Sequence, residues 1–211
     1  MKQISLLITL LLMMALGGSA QNTLSRLTVF SEFRPAIAHL ADGKTVNLPQ
    51  ANIFLKNSSL LYMQGNTAME AIMNTINRVE FEDRTYYRLD TILAYRVESV
   101  DNNVLYCAQT LDLVAFQQQR RNNVNISNLD LGEIIGVTTV DIGDVTEFPI
   151  KSEFFFLLDG KLVKVHERTL KLVLNKEQRR LMASVMNMQG FSWTDPKSLT
   201  TLLKTLTNNG K

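Results

Sequence analysis

The chain has 211 residues, with 22 Lys and Arg against 20 Asp and Glu and a formal net charge of +2. So even a balance excludes the basic footprint that electrostatic nucleic-acid binding requires, and no nucleic-acid partner is expected. The single cysteine, Cys107, excludes an internal disulfide framework, so stability must rest on an ordinary apolar core.

The chain opens with a tripartite pattern. Lys2 supplies a positive start, residues 4–16 are apolar, and Gly18-Ser19-Ala20 place small residues before Gln21. This pattern predicts a secretory signal peptide over residues 1–20, cleaved after Ala20; the competing reading is an uncleaved anchor. No cysteine stands at the cleavage point, which excludes lipid attachment there. No later apolar run is long enough to span a bilayer, so no transmembrane span is expected after signal removal. The expected location is the periplasm or the outer-membrane surface.

Residues 21–166 read as a β-rich domain. Residues 27–33 are a possible first strand. Residues 33–63 read as two hairpins in series, turning at Asp42-Gly43 and around Lys56-Asn57-Ser58. Asp-Gly between apolar runs favours a type I′ turn, whose two central residues take positive φ. Pro49 is expected to separate a strand at 45–48 from one at 52–55. Thr67 and Glu70 have capping-box spacing, and Met69, Ile72, Met73 and Ile76 follow at helical spacing, which predicts a short helix over residues 68–76. Strand patterns resume at residues 78–89, turning at Asp83-Arg84, and again on both sides of Asp101-Asn102-Asn103.

Tyr86-Tyr87-Arg88 and Tyr95-Arg96 bring aromatic and guanidinium groups together in sequence. They read either as a stacking surface for sugar or peptide, or as cross-strand packing with a solvated arginine edge. Residues 117–130 are polar and amide-rich and predict a loop, in which Arg120 and Arg121 could dock an acidic partner. Tyr86, Tyr87, Arg88, Arg120 and Arg121 are therefore the candidate partner surface. Residues 131–150 return to β character. Asp141 and Asp144 there lack the completed oxygen set that calcium needs. Asp159-Gly160 predicts a further hairpin, between FFFLL and KLVKV.

Residues 167–211 are expected to form a helical C-terminal segment packed on the sheet. Asn175 and Gln178 suggest a helix start, with an apolar stripe of Leu181, Met182, Val185, Met186 and Met188 behind them. Asp195 and Pro196 start the last helix, whose Leu199, Leu202, Leu203 and Leu206 share one face. Phe191 and Trp193 would anchor the joining loop.

The chemistry of the chain is sparse. His39 and His166 have no metal-spaced neighbours, so no metal is expected. No nucleophile elbow, zinc-protease helix, phosphate loop or dinucleotide fingerprint occurs, and no cofactor is expected. Cys107 reads as a buried, inert thiol.

The segments GKTV, NIFLKNSSLLY, RVEFEDRTYYRL and FFFLLDGKLVKV, followed by SWTDPKSLTTLL in a helical tail, resemble a loose class of uncharacterised exported β-rich proteins of Gram-negative bacteria. That resemblance implies an envelope location and brings no activity or site residues with it. The expected fold is mainly β (α+β): a twisted antiparallel sheet or partly closed barrel with a short helical C-terminal segment. The expected function is a non-enzymatic binding or scaffold module for another envelope protein or glycan. The alternatives are a β-barrel holding a small apolar ligand or lipid, and a glycan or peptide hydrolase.

Overall fold

The computed structural model describes residues 27–122 and 148–208. Ten strands form one antiparallel sheet: β1 (Arg34–Leu40), β2 (Thr45–Phe54), β3 (Ser59–Gln64), β4 (Thr67–Glu70), β5 (Ile76–Phe81), β6 (Thr85–Leu89), β7 (Ile92–Val100), β8 (Asn103–Leu111), β9 (Ile150–Leu158) and β10 (Lys161–Lys164). Their order across the sheet is β10-β9-β8-β7-β6-β5-β1-β2-β3-β4. The helices are α1 (Leu113–Asn122), α2 (Glu167–Val173), α3 (Lys176–Met186) and α4 (Pro196–Asn208). The fold is thus mainly β, with its longer helices at the C-terminus.

Local chemistry sets the turns. Asp159 and Gly160 both take positive φ, +48° and +79°, as a tight two-residue turn requires. At Asp42-Gly43 only the glycine is left-handed. There Gly43 N donates to Leu40 O, and the Asp42 carboxylate accepts from Lys44 N, giving a wider loop than the type I′ turn expected from the dipeptide.

The sheet curls upon itself. Leu93 N donates to Ser58 O at 2.7 Å, joining β7 to the β2–β3 turn although four strands separate β7 from β3 in the sheet order. Leu111 N likewise donates to Leu55 O at 2.7 Å. The curl encloses Ala36, Ala38, Ala51, Ile53, Leu60, Val79, Phe81, Tyr86 and Leu93. Two small residues in β1 let the larger side chains of the facing strands fill this interior.

A second core lies under the helices. Leu105, Cys107, Phe154, Phe156 and Val163 from the sheet meet Leu170, Met182, Val185, Leu199, Leu202, Leu203 and Leu206. The leucine stripe of α4 is therefore spent on the protein's own sheet. Asn175 caps α3 in a full capping box, and Asp195 Oδ2 accepts from Ser198 N at 2.8 Å at the start of α4. Phe191 and Trp193 pack on the same core, their rings edge to face at 5.0 Å. Met188 lies outside the expected stripe, 54 % exposed.

Several expectations are corrected. Residues 68–76 do not form a helix. Thr67–Glu70 pairs with β3, and a single 3-10 turn follows at Met73–Thr75. The Glu70 carboxylate accepts from Asn57 Nδ2 and Ser59 Oγ, both at 2.7 Å, instead of closing a capping box. Ile72 stands 71 % exposed, so the helical spacing of apolar residues there buries no stripe.

Residues 27–33 are not a strand either; they contribute one bridge, Thr28 to Phe54. The buried Asn52 side chain holds this lead-in by accepting from Phe30 N and donating to Phe30 O and Glu32 O. Pro49 does not split β2. Arg34 pairs with Ala51 and Ala36 with Leu48, so Pro49 falls at a bulge, where its missing N–H costs no ladder bond.

The expected loop from residue 117 begins as helix. α1 runs to Asn122, started by Asp112, whose Oδ1 accepts from Val114 N and Ala115 N. Phe116 anchors it in a third cluster with Leu27, Phe54 and Leu111. The rest of that loop, the β character expected over 131–147, Asp141, Asp144 and the signal peptide lie outside the described residues. Among the described residues no helix is long and apolar enough to cross a membrane.

Candidate functional site

A strand turns successive side chains to opposite faces. In β8 this sends Leu105 and Cys107 toward the helices and Val104, Tyr106 and Ala108 to the other face. The outer row can be followed by register. Arg78 of β5 pairs with Tyr87 of β6, Tyr87 with Ala94 of β7, Arg96 with Tyr106 of β8, Tyr106 with Phe155 of β9, and Phe155 with Lys164 of β10.

The small residues on this face decide its shape. Ala94 and Ala108 leave room between strands, and the larger rings lean over them, so both alanines are buried. The Tyr87 and Tyr106 rings lie 5.8 Å apart, and the exposed Arg96 guanidinium sits 5.6 Å from the centre of the Tyr87 ring. Leu89, Ile92, Phe155 and Leu157 continue the apolar ground. Among the described residues no helix contributes to this cluster.

Charge frames it on both sides. Beside Tyr87, Glu80 meets Arg78 at 2.8 Å and His39 at 3.1 Å. Bonds from Arg78 and then His39 hold the Glu80 carboxyl below its usual range. Beyond Phe155, Glu153 is bracketed by Lys164 at 2.8 Å and Lys151 at 3.0 Å. Burial would raise the Glu153 carboxyl, but the two ammonium groups outweigh it and hold it low. Burial pushes the Tyr106 hydroxyl up, Tyr87 adds to this, and Arg96 opposes it. The Tyr106 hydroxyl therefore stays protonated at neutral pH. Aromatic faces, a guanidinium and paired charges can stack on and hydrogen-bond a sugar or peptide.

The structure divides the five candidate residues. Tyr86 is fully buried inside the curl and so leaves the surface. Tyr87 lies on the outer face. Arg88 is tied to backbone, Nε to Ile76 O at 2.5 Å and Nη1 to Asp90 O at 3.2 Å. Arg120 and Arg121 stand in the last turn of α1, which packs on a different cluster from the one holding Tyr87. Tyr106 and Phe155 stand far from Tyr87 in sequence and join it only through strand pairing. The signal that finds them is strand register, counted back from the turns, and sequence proximity does not carry it.

The inner face carries another polar group. The Arg84 guanidinium lies 4.3 Å from the centre of the Tyr95 ring. Burial pushes the Tyr95 hydroxyl well up, reinforced by its bond to Cys107. Burial also pushes the Cys107 thiol up, so it stays protonated and closed to solvent. Among the described residues no three His, Cys, Asp or Glu gather in a group able to hold a metal.

A cleft of about 300 Å³ opens between the β7–β8 and β9–β10 turns and the helices. Leu158, Val163 and Leu206 floor it, and Asp101, Asp159 and Lys161 stand at its edge. Asn103 fixes its shape by donating to Thr207 Oγ1 at 3.1 Å and accepting from Asp159 N at 2.9 Å.

No family model matches the chain, and neither a curated protein nor a solved structure matches it significantly.

Proposed function

We propose that the protein is an exported, non-enzymatic binding module of the bacterial envelope, and that it holds another envelope protein or glycan against the outer face of β6–β9. The observation that carries this reading is the row of Tyr87, Tyr106 and Phe155, with Arg96 over Tyr87, on the face that no described helix covers. Aromatic and arginine side chains concentrate binding energy where they are held rigid, and the register holds these. The export signal read in residues 1–20 supports an envelope location. The charged brackets at Glu80 and Glu153 would fix orientation more than affinity.

The test has two arms. Mature protein isolated from the producing cell begins at Gln21 and fractionates with the envelope. Immobilised wild type then retains an envelope protein or glycan that a Tyr87→Ser/Arg96→Ser double variant releases. A chain that keeps residues 1–20 in the cytosol overturns the location. Equal retention by both forms overturns the assignment of the surface.

A further inference from the structure

The charge of the chain is unevenly spread. From Lys161 to Arg180 the sequence holds seven Lys and Arg against two acidic residues, Glu167 and Glu177, in a chain that is otherwise close to balance. Lys164 stands on the outer face of the sheet with Phe155; the others follow along β10, α2 and the start of α3. α2 follows β10 directly and packs on it. Lys161 and Val173 line the same cleft, and Arg179 Nε donates to Leu174 O at 2.9 Å, which keeps that guanidinium at the C-terminal end of α2.

Two of the seven are engaged, Lys164 with Glu153 and Lys171 with Glu167. Among the described residues Lys161, Arg168, Lys176, Arg179 and Arg180 meet no carboxylate. In their midst Leu172 is 79 % exposed and Val173 46 %. Within α2, Arg168, Lys171 and Leu172 share one face at i, i+3 and i+4. The opposite side of the helix is anchored by the fully buried Leu170.

We propose that α2 and the start of α3 dock the protein on an anionic lipid surface, with Leu172 and Val173 entering the acyl boundary and Arg168, Lys176, Arg179 and Arg180 meeting headgroup phosphates. Helices that lie in a membrane interface combine an apolar tip with a cationic surround in this way. A nucleic acid would use the cations and leave Leu172 in water; a lipid boundary uses both. The surface does not depend on the aromatic face and adds a second contact to the proposed module.

The chain from Gln21 onward contains every described residue and is the form to test. It sediments with mixed phosphatidylglycerol–phosphatidylcholine vesicles, does not sediment with pure phosphatidylcholine, and releases as salt is raised. Arg168→Gln with Lys176→Gln weakens binding roughly thirtyfold at low salt, since each cation near such a surface contributes comparably. Leu172→Ser weakens it roughly tenfold through the lost apolar contact. Lys44→Gln, an exposed change in the distant β1–β2 turn, leaves binding unchanged. The proposal is overturned by equal binding to both vesicle types, by no binding to either, or by unchanged binding of the variants. It is also overturned if Leu172→Ser has no effect and the same cations capture a duplex oligonucleotide instead.

Discussion

Ser58 and Leu93 grip each other twice across the curl of the sheet: Leu93 N donates to Ser58 O at 2.7 Å, and Ser58 Oγ donates to Leu93 O at 2.6 Å. Both residues are fully buried, so neither water nor another strand can replace these bonds. Ser58 also takes φ +53°, a conformation the turn must hold in place. Ser58→Ala leaves the Leu93 carbonyl short of a partner in the interior, which costs about 1–3 kcal/mol. For a chain of this size each kcal/mol lowers Tm by roughly 2–4 °C. Thermal unfolding of the variant checks this, and an unchanged Tm would show that the curl is held elsewhere.

The same reasoning separates two leucines that look alike in sequence. Leu203 is fully buried between α4 and the sheet, whereas Leu172 is 79 % exposed. Leu203→Ala opens a cavity and costs about 2–5 kcal/mol. Leu172→Ala changes stability by less than about 0.5 kcal/mol. Urea midpoints of the two variants decide it, and similar losses would contradict the packing described.

Cys107 gives a probe of the same core. Its thiol is fully buried and held protonated by burial. A thiol reagent therefore labels the native protein more slowly than the denatured chain, by a factor on the order of a thousand or more, because reaction waits for opening. Rapid labelling under native conditions would show that the sheet parts from the helices far more readily than this core allows.

Glu153 supplies a pH dependence whose sign follows from its lysines. Lys164 and Lys151 hold the folded carboxyl below its unfolded value, so the bracket stabilises the fold above that unfolded value, about 4.3. This stability is lost as pH falls through the folded value. Glu153→Gln is expected to be less stable than wild type at neutral pH by no more than about 1 kcal/mol, since the lysines are half-exposed. The gap between the two urea midpoints then closes under acid conditions. A gap that stays constant down to the acid transition would remove the bracket from the account.

Much of this fold can be read from residues whose chemistry is local. Asp159-Gly160 supplies the positive φ that its turn needs, Asn175 with Gln178 and Asp195 satisfy backbone groups within a few positions, and each marks its element correctly. Residues 68–76 mislead because Met69, Ile72, Met73 and Ile76 fit a helical stripe by spacing alone, while Glu70 finds its partners on Asn57 and Ser59, brought close only by strand pairing. The second half of α1 is hidden in a glutamine-rich run, and its start shows only as the Asp112 cap with Phe116 behind it.

The candidate surface was harder to read for the same reason. Tyr86 and Tyr87 are neighbours in sequence, and a strand must send them to opposite faces. Which face is buried depends on the enclosing strands, which are distant in sequence. Register also shifts at Val97, where Arg96 pairs with Tyr106 and Glu98 with Leu105. That extra residue turns Glu98 to the helix side, where it meets Lys204 at 3.0 Å, and leaves Arg96 outside with Tyr87. A bulge of this kind reassigns faces without any mark in composition.

The binding role proposed above requires the outer face of β6–β9 to be a contact surface. A photocrosslinking residue at the exposed position of Arg96 tests it directly, with the same residue at Lys44 as a control, in cells that make the protein. The account predicts one discrete adduct with an envelope component from position 96, none from position 44, and loss of the adduct when Tyr87→Ser is added. No adduct from position 96, or the same adducts from both positions, would contradict it.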